Sequence, residues 1–344
     1  MIPVLDGHND AITKEWQEPL TERRVDGHLD LPRMRDGGVR AAFFAVFSAP
    51  AVWPQFPAAQ PDASGGVRFD LPPALPFDQA AATATRAAGR LLGLERAGAL
   101  VIARSIADLD CAHDELDGPP AAILHLEGAE AIDPELSTLE LWYAAGLRSL
   151  GPVWSRPTVF GHGVPFTVPS TPDTGPGLTD AGKALVRRCG ELGVMVDLAH
   201  LNEAGFWDVA RLEAGPLVSS HTAVHALCQS ARNLTDAQID AVGESGGLVG
   251  IVYGTRFLRP DFGDEDDTPL SLIAEHAAYV AERIGVDHVA LGSDFDGTHI
   301  PAGVGDVAGV PRVLSALRDK GFTDADLAKI AWGNWRRVLD AWWR

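Results

Sequence analysis

Length, composition and charge limit what this chain can be. Its 344 residues are 46% hydrophobic, which is enough for a large core and unlike a disordered chain. The formal net charge of −19 argues against a nucleic-acid partner, whose phosphates require a basic surface, and against binding to an anionic membrane.

Strand-like and helix-like segments alternate along most of the chain. Eight short apolar runs bounded by turn residues predict buried parallel strands. In chain order they begin at Ile2 and then cover Val39–Ser48, Ala121–Leu126, Leu147–Val153, Val194–Leu198, Pro216–Ser219, Gly247–Tyr253 and His288–Leu291. The predicted helices are Asp78–Ala97, one opened by a capping box at Ser137–Glu140, Thr179–Leu192, one capped by Thr235–Gln238, Leu270–Ile284, and one capped by Thr323–Asp326.

This alternation predicts an α/β fold, a (β/α)₈ TIM barrel that occupies residues 1–344 as a single domain. A doubly wound open sheet fits the alternation nearly as well, but the polar strand ends are spread around the whole strand order, which favours closure. Residues 49–76 and 152–177 are dense in Pro and Gly and interrupt the alternation. We expect both to be long βα loops that build a substrate pocket at the carboxyl face of the barrel.

Cysteine usage and the N-terminus predict the compartment. Cys111, Cys189 and Cys228 are odd in number and lack CxxC spacing, so we expect buried, reduced thiols. A strand and a polar motif already occupy the chain by residue 8, which leaves no room for a signal peptide. No apolar stretch approaches the roughly 18 residues of a membrane span. These features predict a cytoplasmic protein.

Five of the apolar runs end in histidine or carboxylate side chains. The first ends in Asp6-Gly-His8-Asn-Asp10, where His8 and Asp10 are two residues apart and face the same side of a strand. In a parallel barrel the carboxyl ends of all strands meet on one face. Such side chains brought together at one point predict a metal site. The alternative interpretation of this motif is an ordinary strand end with an Asp-Gly turn and no metal.

The third run ends in Glu127, directly before Gly128. A carboxylate at this position is costly to bury unless it is paired or bound to a metal, and its two oxygens can bridge two cations. His125 lies two residues earlier and faces the same way. It is either part of the site or a hydrogen-bonded core histidine.

His200 and His221 follow two consecutive apolar runs, and neutral imidazole is a common zinc ligand. His225 lies four residues after His221, but the segment lacks the glutamate of the HExxH signature, so we interpret His225 as a packing residue or a support of the site. Together with the preceding motifs, the two histidines predict a metallohydrolase.

The last run leads into Gly292-Ser-Asp-Phe-Asp-Gly297. A carboxylate beside a metal-bound water can accept its proton and pass it to a leaving amine. Asp294 and Asp296 face the same way, so spacing alone does not choose between them. Arg232 lies eleven residues after His221, and its planar guanidinium suits a substrate carboxylate. A surface arginine at a helix start is an equally good interpretation of Arg232.

The motifs DGHND, LEG, DLAH, SSH, RN and GSDFDG occur in the order found in the renal (membrane) dipeptidase family of the amidohydrolase superfamily, which the chain resembles over nearly its whole length. The resemblance implies a (β/α)₈ barrel with two zinc ions per subunit. It assigns His8 and Asp10 to one zinc, His200 and His221 to the other, and Glu127 to both. It further assigns Asp294 as the catalytic acid/base and Arg232 to the substrate carboxylate.

The chain departs from the family at one place. Members often carry a histidine just past the fourth strand, where it polarises the scissile carbonyl, and Trp154 occupies that position here. Indole donates one hydrogen bond but cannot carry a positive charge. Either His162, in the long loop, supplies the missing group, or the metal alone polarises the carbonyl.

We therefore expect a binuclear zinc dipeptidase that hydrolyses small dipeptides, including some with a D-residue at the C-terminal position, through a metal-bridging hydroxide. The alternatives are another amidohydrolase activity, such as N-acyl amino acid deacylase or lactonase, and a barrel that binds metal without catalysis. The terminal Ala341-Trp-Trp-Arg344 is either a packed helix end or the contact of a homodimer.

Overall fold

All eight predicted strands are present in the computed structural model, which describes residues 2–13, 18–49, 60–61, 67–69 and 71–343, with backbone alone for 60–61 and 67–69. They form the wall of a parallel barrel. In chain order the strands are β1 (Val4–Asn9), β2 (Val39–Phe47), β3 (Ala121–Glu127), β4 (Leu147–Gly151), β5 (Met195–Val196), β6 (Val218–Thr222), β7 (Leu248–Ile251) and β8 (Val289–Leu291).

The strands close on themselves. β1 to β5 are successive hydrogen-bonded parallel neighbours, and so are β6 to β8. Isolated parallel bridges join the two arcs, one between Asp197 and Val218 and the other between Asn9 and Phe295. An open doubly wound sheet would leave two free edges, so the closed-barrel prediction is confirmed.

Helices alternate with the strands and cover the barrel. They are α1 (Leu31–Gly37), α2 (Phe77–Arg96), α3 (Ile106–Asp114), α4 (Ser137–Ala145), α5 (Asp180–Leu192), α6 (Glu203–Leu212), α7 (Asp236–Glu244), α8 (Thr255–Leu258), α9 (Leu270–Ile284), α10 (Val310–Lys320), α11 (Asp324–Ala328) and α12 (Asn334–Trp342). Short 3₁₀ turns at Val286–His288 and Val307–Gly309, and a π turn at Lys329–Gly333, complete the set. No helix within the described part of the chain has the length and apolar character needed to cross a bilayer.

Capping explains where several helices begin. Thr235 and Gln238 form the predicted capping box of α7, and Thr323 and Asp326 form that of α11. The capping box predicted at Ser137–Glu140 is wrong. Asp133 caps α4 instead, because its carboxylate accepts the backbone N–H of Ser137 at 3.0 Å and of the next residue at 2.6 Å.

The two Pro- and Gly-rich excursions meet in a small antiparallel sheet. Gln60–Pro61 pairs with Val67–Phe69, which in turn pairs with Phe166–Val168. The remaining residues of 49–76 that carry no assignment in the structure, 50–59, 62–66 and 70, lie outside the described part. A further short strand, Val101–Ile102, adds a parallel neighbour to β3.

Large aromatic side chains pack against the strands of the barrel. Trp335 is fully buried, and its Nε1 donates to the Leu291 carbonyl oxygen at 3.0 Å. Gly7 makes room for it, because a Cβ there would lie 2.5 Å from Cζ2 of Trp335. Trp342 and Trp343 are also buried, and each indole N–H donates to a backbone carbonyl oxygen of this chain. The terminal segment is therefore a packed helix end over its described residues.

The cysteine prediction is confirmed in part. All three thiols are free, and Cys189 and Cys228 are buried. Cys111 is exposed, which corrects the expectation that all three lie in the core. It sits on the outer surface of α3, where the buried positions are Leu109 and Ala112.

Candidate metal centre

The predicted ligands converge at the carboxyl ends of the strands. His8 lies in β1 and Asp10 directly after it, Glu127 ends β3, and His221 lies in β6. His200 and Asp294 follow β5 and β8. All six side chains are buried. The closed barrel explains the convergence, because residues that are up to 286 positions apart occupy one rim.

Glu127 is the centre of this cluster. Its Oε1 lies 3.0 Å from Nε2 of His200, 3.5 Å from Nε2 of His221 and 3.5 Å from Nε2 of His8. The Nε2 atoms of His200 and His221 are themselves 3.1 Å apart. One carboxylate oxygen is thus shared by three imidazoles from three different strands.

The cluster contains two overlapping groups of three candidate ligands. The ligand atoms of His8, Glu127 and His221 lie within 4.8 Å of one another, and so do those of His8, Asp10 and Asp294. The rings of His8 and His221 stack at a centroid distance of 3.8 Å. His8 therefore faces both halves of the cluster.

Hydrogen bonding fixes the tautomer of His221. Ser220 Oγ donates its single proton to Asp197 Oδ2 at 2.5 Å and lies 2.8 Å from Nδ1 of His221. Because that proton is used, Nδ1 of neutral His221 must donate to the hydroxyl. Nε2 then carries a lone pair that points to Glu127, which is the state of a metal-binding imidazole.

His200 is held in a similar way, with Nδ1 2.8 Å from Ser155 Oγ. Its backbone is left-handed, with φ of 68°, and Asp294 and Asp296 have φ of 62° and 66°. Residues other than glycine rarely adopt this conformation, and it clusters at functional sites. Three such residues at one rim indicate that the chain is held there by the surrounding structure.

Negative charge dominates the electrostatics of the cluster. Burial by itself lowers the pKa of His8, but the surrounding carboxylates, with Glu127 foremost, outweigh it and raise the pKa to about 10. Burial raises the pKa of Glu127 well above its usual range, against the opposing effect of His8. Burial likewise raises the pKa of Asp294 to about 7. The buried carboxylates therefore require positive charge beside them.

The other two imidazoles are neutral. Burial is the largest cause that lowers the pKa of His200 and of His221 well below the ordinary value, and the positive charge of Arg232 contributes to both. A neutral imidazole with a free lone pair can coordinate a cation without first losing a proton.

These observations test whether a metal fits. Both ring nitrogens of His8 are buried and have no hydrogen-bond partner among the described residues, an arrangement that costs roughly 1–3 kcal/mol per buried group. A divalent cation would satisfy the nitrogen that faces Glu127 and would neutralise the carboxylates. The donor set of imidazole nitrogens and carboxylate oxygens suits zinc. The residues present therefore fit a metal.

The structure shows which of the residues that sequence spacing left open belong to the cluster. Asp294 lies in the cluster, whereas Asp296 Oδ1 accepts the backbone N–H of His28 at 2.6 Å. His125 is fully buried, its Nδ1 lies 2.9 Å from Ser149 Oγ, and burial lowers its pKa to about 4. His225 Nε2 lies 2.7 Å from the Ser170 carbonyl oxygen. His125 and His225 thus have partners outside the cluster.

Arg232 lies behind the cluster. It is buried, and its Nη2 donates to the His221 carbonyl oxygen at 2.8 Å. Its Nε has no hydrogen-bond partner among the described residues, and a space for about one water molecule lies between Arg232 and His200. His162 contacts the backbone of its own loop. Its Nδ1 lies 3.1 Å from the Gly177 carbonyl oxygen, and it is absent from the described cavity wall.

A cavity of about 730 Å³ opens above the cluster, and Trp154 forms part of its wall. Glu127, His200 and Asp294 line the cavity together with further polar residues, Asp10, Thr13, Arg256, Asp296, Thr298 and His299, while most of the lining surface is apolar. Such a concave, largely apolar space with a few polar groups is typical of a small-molecule site.

Several residues that orient the proposed ligands were not predicted from the sequence. Ser220 and Ser155 orient the two histidines, and Asp197 orients Ser220. On the opposite side, Asp6 accepts both the backbone N–H and the hydroxyl of Ser293, at 2.8 and 2.6 Å. For Asp6, Asp197, Ser220 and Ser293 the only sequence signal was their position inside the motifs DGHND, DLAH, SSH and GSDFDG, and Ser155 lies in none of these motifs.

Comparison with known proteins gives a consistent result. The family model for membrane dipeptidases (peptidase family M19) matches residues 1–342. The dipeptidase aclJ of Aspergillus oryzae is 30% identical over 350 aligned residues, which cover 98% of this chain and 78% of that protein. A metallopeptidase from Rhodobacter sphaeroides, solved with a phosphinate mimic of the dipeptide L-Ala-D-Ala, is 43% identical, with a TM-score of 0.92 and 99% of each chain covered. The M19 metallopeptidase dipeptidase AC has the same identity and coverage and a TM-score of 0.90.

Proposed function

Because the chain belongs to the membrane dipeptidase family (peptidase family M19), a family of metallopeptidases, we propose that it hydrolyses small dipeptides with two zinc ions per subunit. One observation carries the proposal. Glu127 Oε1 lies within 3.5 Å of the Nε2 atoms of three buried histidines, so a single carboxylate stands between two sets of ligands.

The proposed ligand sets are those that the family resemblance implies. His8, Asp10 and Glu127 would hold one zinc ion, and Glu127, His200 and His221 the other. When bound, the two ions lower the pKa of a water molecule and stabilise the negative charge that develops on the scissile carbonyl oxygen. Asp197, through Ser220, keeps the Nε2 lone pair of His221 directed at this position.

Asp294 is the proposed proton carrier. Its carboxylate lines the cavity, beside His8 and Asp10, and its backbone N–H donates to the His8 carbonyl oxygen at 3.0 Å. From there it accepts the proton of the attacking water and delivers it to the departing amine. Asp296 is tied to the His28 backbone and takes no such role.

Arg232 is the proposed partner of the free carboxylate of the substrate. Its buried guanidinium is positively charged, and its Nε lacks a partner among the described residues. A fixed cation beyond the scissile bond favours a dipeptide over a longer peptide. The L-Ala-D-Ala mimic in the Rhodobacter sphaeroides relative supports acceptance of a D-residue at this end.

Trp154 is proposed to contact the substrate as part of the cavity wall, 5.8 Å from His200 between ring centroids. It adds no charge at the carbonyl. The position of His162, which faces Gly177, gives no support to the idea that it replaces the family histidine.

A substrate screen tests the proposal. Protein stripped of metal and reloaded with zinc is compared on dipeptides with L- or D-residues at each position, on N-acyl amino acids and on lactones. We expect kcat/KM for the best dipeptides to exceed that for the other classes by at least tenfold. Higher values for N-acyl amino acids or lactones would contradict the proposal, and so would metal-loaded protein that cleaves none of the three classes.

A further inference from the structure

Five aromatic side chains line one continuous wall of the cavity. They are Phe47, Trp154, Phe166, Phe257 and Phe262, and we call them the aromatic wall. Centroids of successive rings are 4.8, 5.7, 6.2 and 6.5 Å apart. These spacings are those of packed aromatic pairs, so the rings present one apolar surface.

The aromatic wall begins beside the metal centre, and its Phe257 ring lies near Arg232, which lines the small space next to the cavity rather than the cavity wall. Trp154 and Phe166 lie 5.8 and 6.2 Å from the His200 ring. At the other end, the Arg232 guanidinium carbon lies 5.8 Å from the Phe257 ring. If Arg232 holds the substrate carboxylate, the residue that carries this carboxylate lies against the wall.

The first rings of the wall are held in place from behind. The Arg156 guanidinium carbon lies 5.1 Å from the Phe47 ring and 5.4 Å from the Trp154 ring. Arg156 is fully buried, and its Nε donates to Glu130 at 2.7 Å. A buried ion pair that stacks on both rings keeps this surface formed before a substrate enters, which lowers the cost of binding.

We propose that the aromatic wall is a subsite for a large apolar or aromatic side chain on the C-terminal residue of the substrate. This inference rests on the proposed dipeptidase function. Hydrolysis of a peptide bond needs only the metal centre, a proton carrier and a carboxylate partner, so it does not account for five rings. A polar side chain packed against the five rings would lose water without gaining a hydrogen bond from them. The cavity of about 730 Å³ leaves room for a ring.

Arg256 is the competing determinant, because it also lines the cavity and could attract an acidic side chain. Its Nη2 already lies 2.7 Å from Asp264 Oδ2, which compensates much of its charge. An acidic side chain would have to displace this ion pair, whereas an apolar side chain gains burial at once. The apolar choice is therefore favoured.

Matched dipeptides test the subsite. We expect alanyl-phenylalanine, with the L- or the D-form of phenylalanine, to exceed the corresponding alanyl-alanine at least tenfold in kcat/KM, since even one methylene in an apolar pocket changes this ratio about 10-fold or more. Phenylalanyl-alanine should show no comparable gain, and alanyl-glutamate should fall below alanyl-phenylalanine.

Variants locate the effect. In Phe166→Ala and Phe257→Ala the ratio between alanyl-phenylalanine and alanyl-alanine should fall at least threefold in each, mainly through KM. The ratio within one variant cancels general losses of activity. Phe77→Ala, at an exposed position outside the cavity wall, should keep the wild-type ratio.

The outcomes separate the two proposals. Loss of all dipeptide cleavage in the zinc-loaded wild-type protein would contradict the proposed function itself. Cleavage of dipeptides without a preference for the large apolar side chain, a preference at the N-terminal residue, or a preference for glutamate would overturn the subsite alone. An unchanged ratio in both variants would overturn it as well.

Discussion

Asp197 and His221 are joined by one hydroxyl group, that of Ser220, which lies 2.5 Å from Asp197 Oδ2 and 2.8 Å from Nδ1 of His221. The carboxylate fixes the direction of the hydroxyl proton, and the hydroxyl fixes the tautomer of the imidazole. Asp197 also accepts the backbone N–H of Ser220 at 2.8 Å, so its own position is set by β6. Asp197, which is not itself a proposed metal ligand, thus fixes the tautomer of one, His221.

Asp197→Asn is expected to weaken zinc binding about 10- to 100-fold, the usual effect of losing a partner that orients a ligand. The amide can donate to Ser220, and the hydroxyl proton is then released toward His221. Zinc affinity is measured by competition with a chelator of known affinity. Asp319→Asn, an exposed change on α10, is the matched control and should bind zinc like wild type. Equal affinities in all three proteins would contradict the proposed chain of hydrogen bonds.

Glu127→Gln is expected to disturb both zinc sites at once. The amide has one oxygen and no charge, so it can neither bridge two cations nor compensate their charge. Metal analysis after dialysis should give fewer than two zinc ions per subunit, and activity should fall by at least two orders of magnitude. Two tightly bound zinc ions in this variant would show that Glu127 is not the shared ligand.

Asp294→Asn is expected to lower kcat by about 10²- to 10⁴-fold while zinc content stays at the wild-type level, because the amide cannot accept the proton of the attacking water. Asp296→Asn is the comparison. Its amide oxygen can still accept the His28 N–H, so kcat should fall at least tenfold less than in Asp294→Asn. If Asp296→Asn proved the more damaging change, the two aspartates would exchange roles.

His276 predicts a pH dependence of stability that is independent of the metal centre. Its Nδ1 accepts the backbone N–H of Val224 at 2.9 Å, and its Nε2 lies 3.1 Å from the Leu258 carbonyl oxygen. Burial lowers its pKa from 6.5 to about 4. Between these values the unfolded chain binds the proton and the folded protein does not. The contribution of His276 to the free energy of unfolding is therefore greatest above about pH 6.5. This contribution falls by about 3 kcal/mol in total as the pH drops toward 4.

The free energy of unfolding, followed by urea denaturation between pH 4 and 7, checks this prediction. The curve of His276→Gln should be flatter than that of wild type over this range. Val280→Ala, a cavity-forming change on the same helix α9, should lower stability but keep the wild-type slope. Parallel curves for wild type and His276→Gln would contradict the assignment.

The sequence predicted the barrel and the cluster well because both depend on local rules. Short apolar runs that end in polar residues place His8, Glu127 and His221 at strand ends, and parallel closure brings them together. The prediction fails where two nearby residues compete to cap the same helix. The capping carboxylate of α4 is Asp133 rather than a member of the Ser137 box, because the Asp133 carboxylate already accepts the first backbone N–H groups of the helix.

Trp154 and Phe166 lie in residues 152–177, which were expected to build the pocket, but the way the five rings come together could not be predicted from such rules. Phe166 begins the short strand Phe166–Val168 and Phe262 lies in a loop, and no periodicity links either of them to Phe47 at the end of β2. Their proximity depends on the antiparallel pairing of Phe166–Val168 and on the path of the chain after α8. His162 illustrates the converse, because a histidine in the right loop turned toward the Gly177 carbonyl oxygen instead of the cavity.

Our main proposal is that two zinc ions, joined by Glu127, make this barrel a dipeptidase. It is tested most directly by titrating the metal-free protein with zinc while both bound metal and dipeptide hydrolysis are measured. We expect activity to reach its plateau at two zinc ions per subunit. Full activity at one zinc ion per subunit, or activity that persists in the metal-free protein, would contradict it.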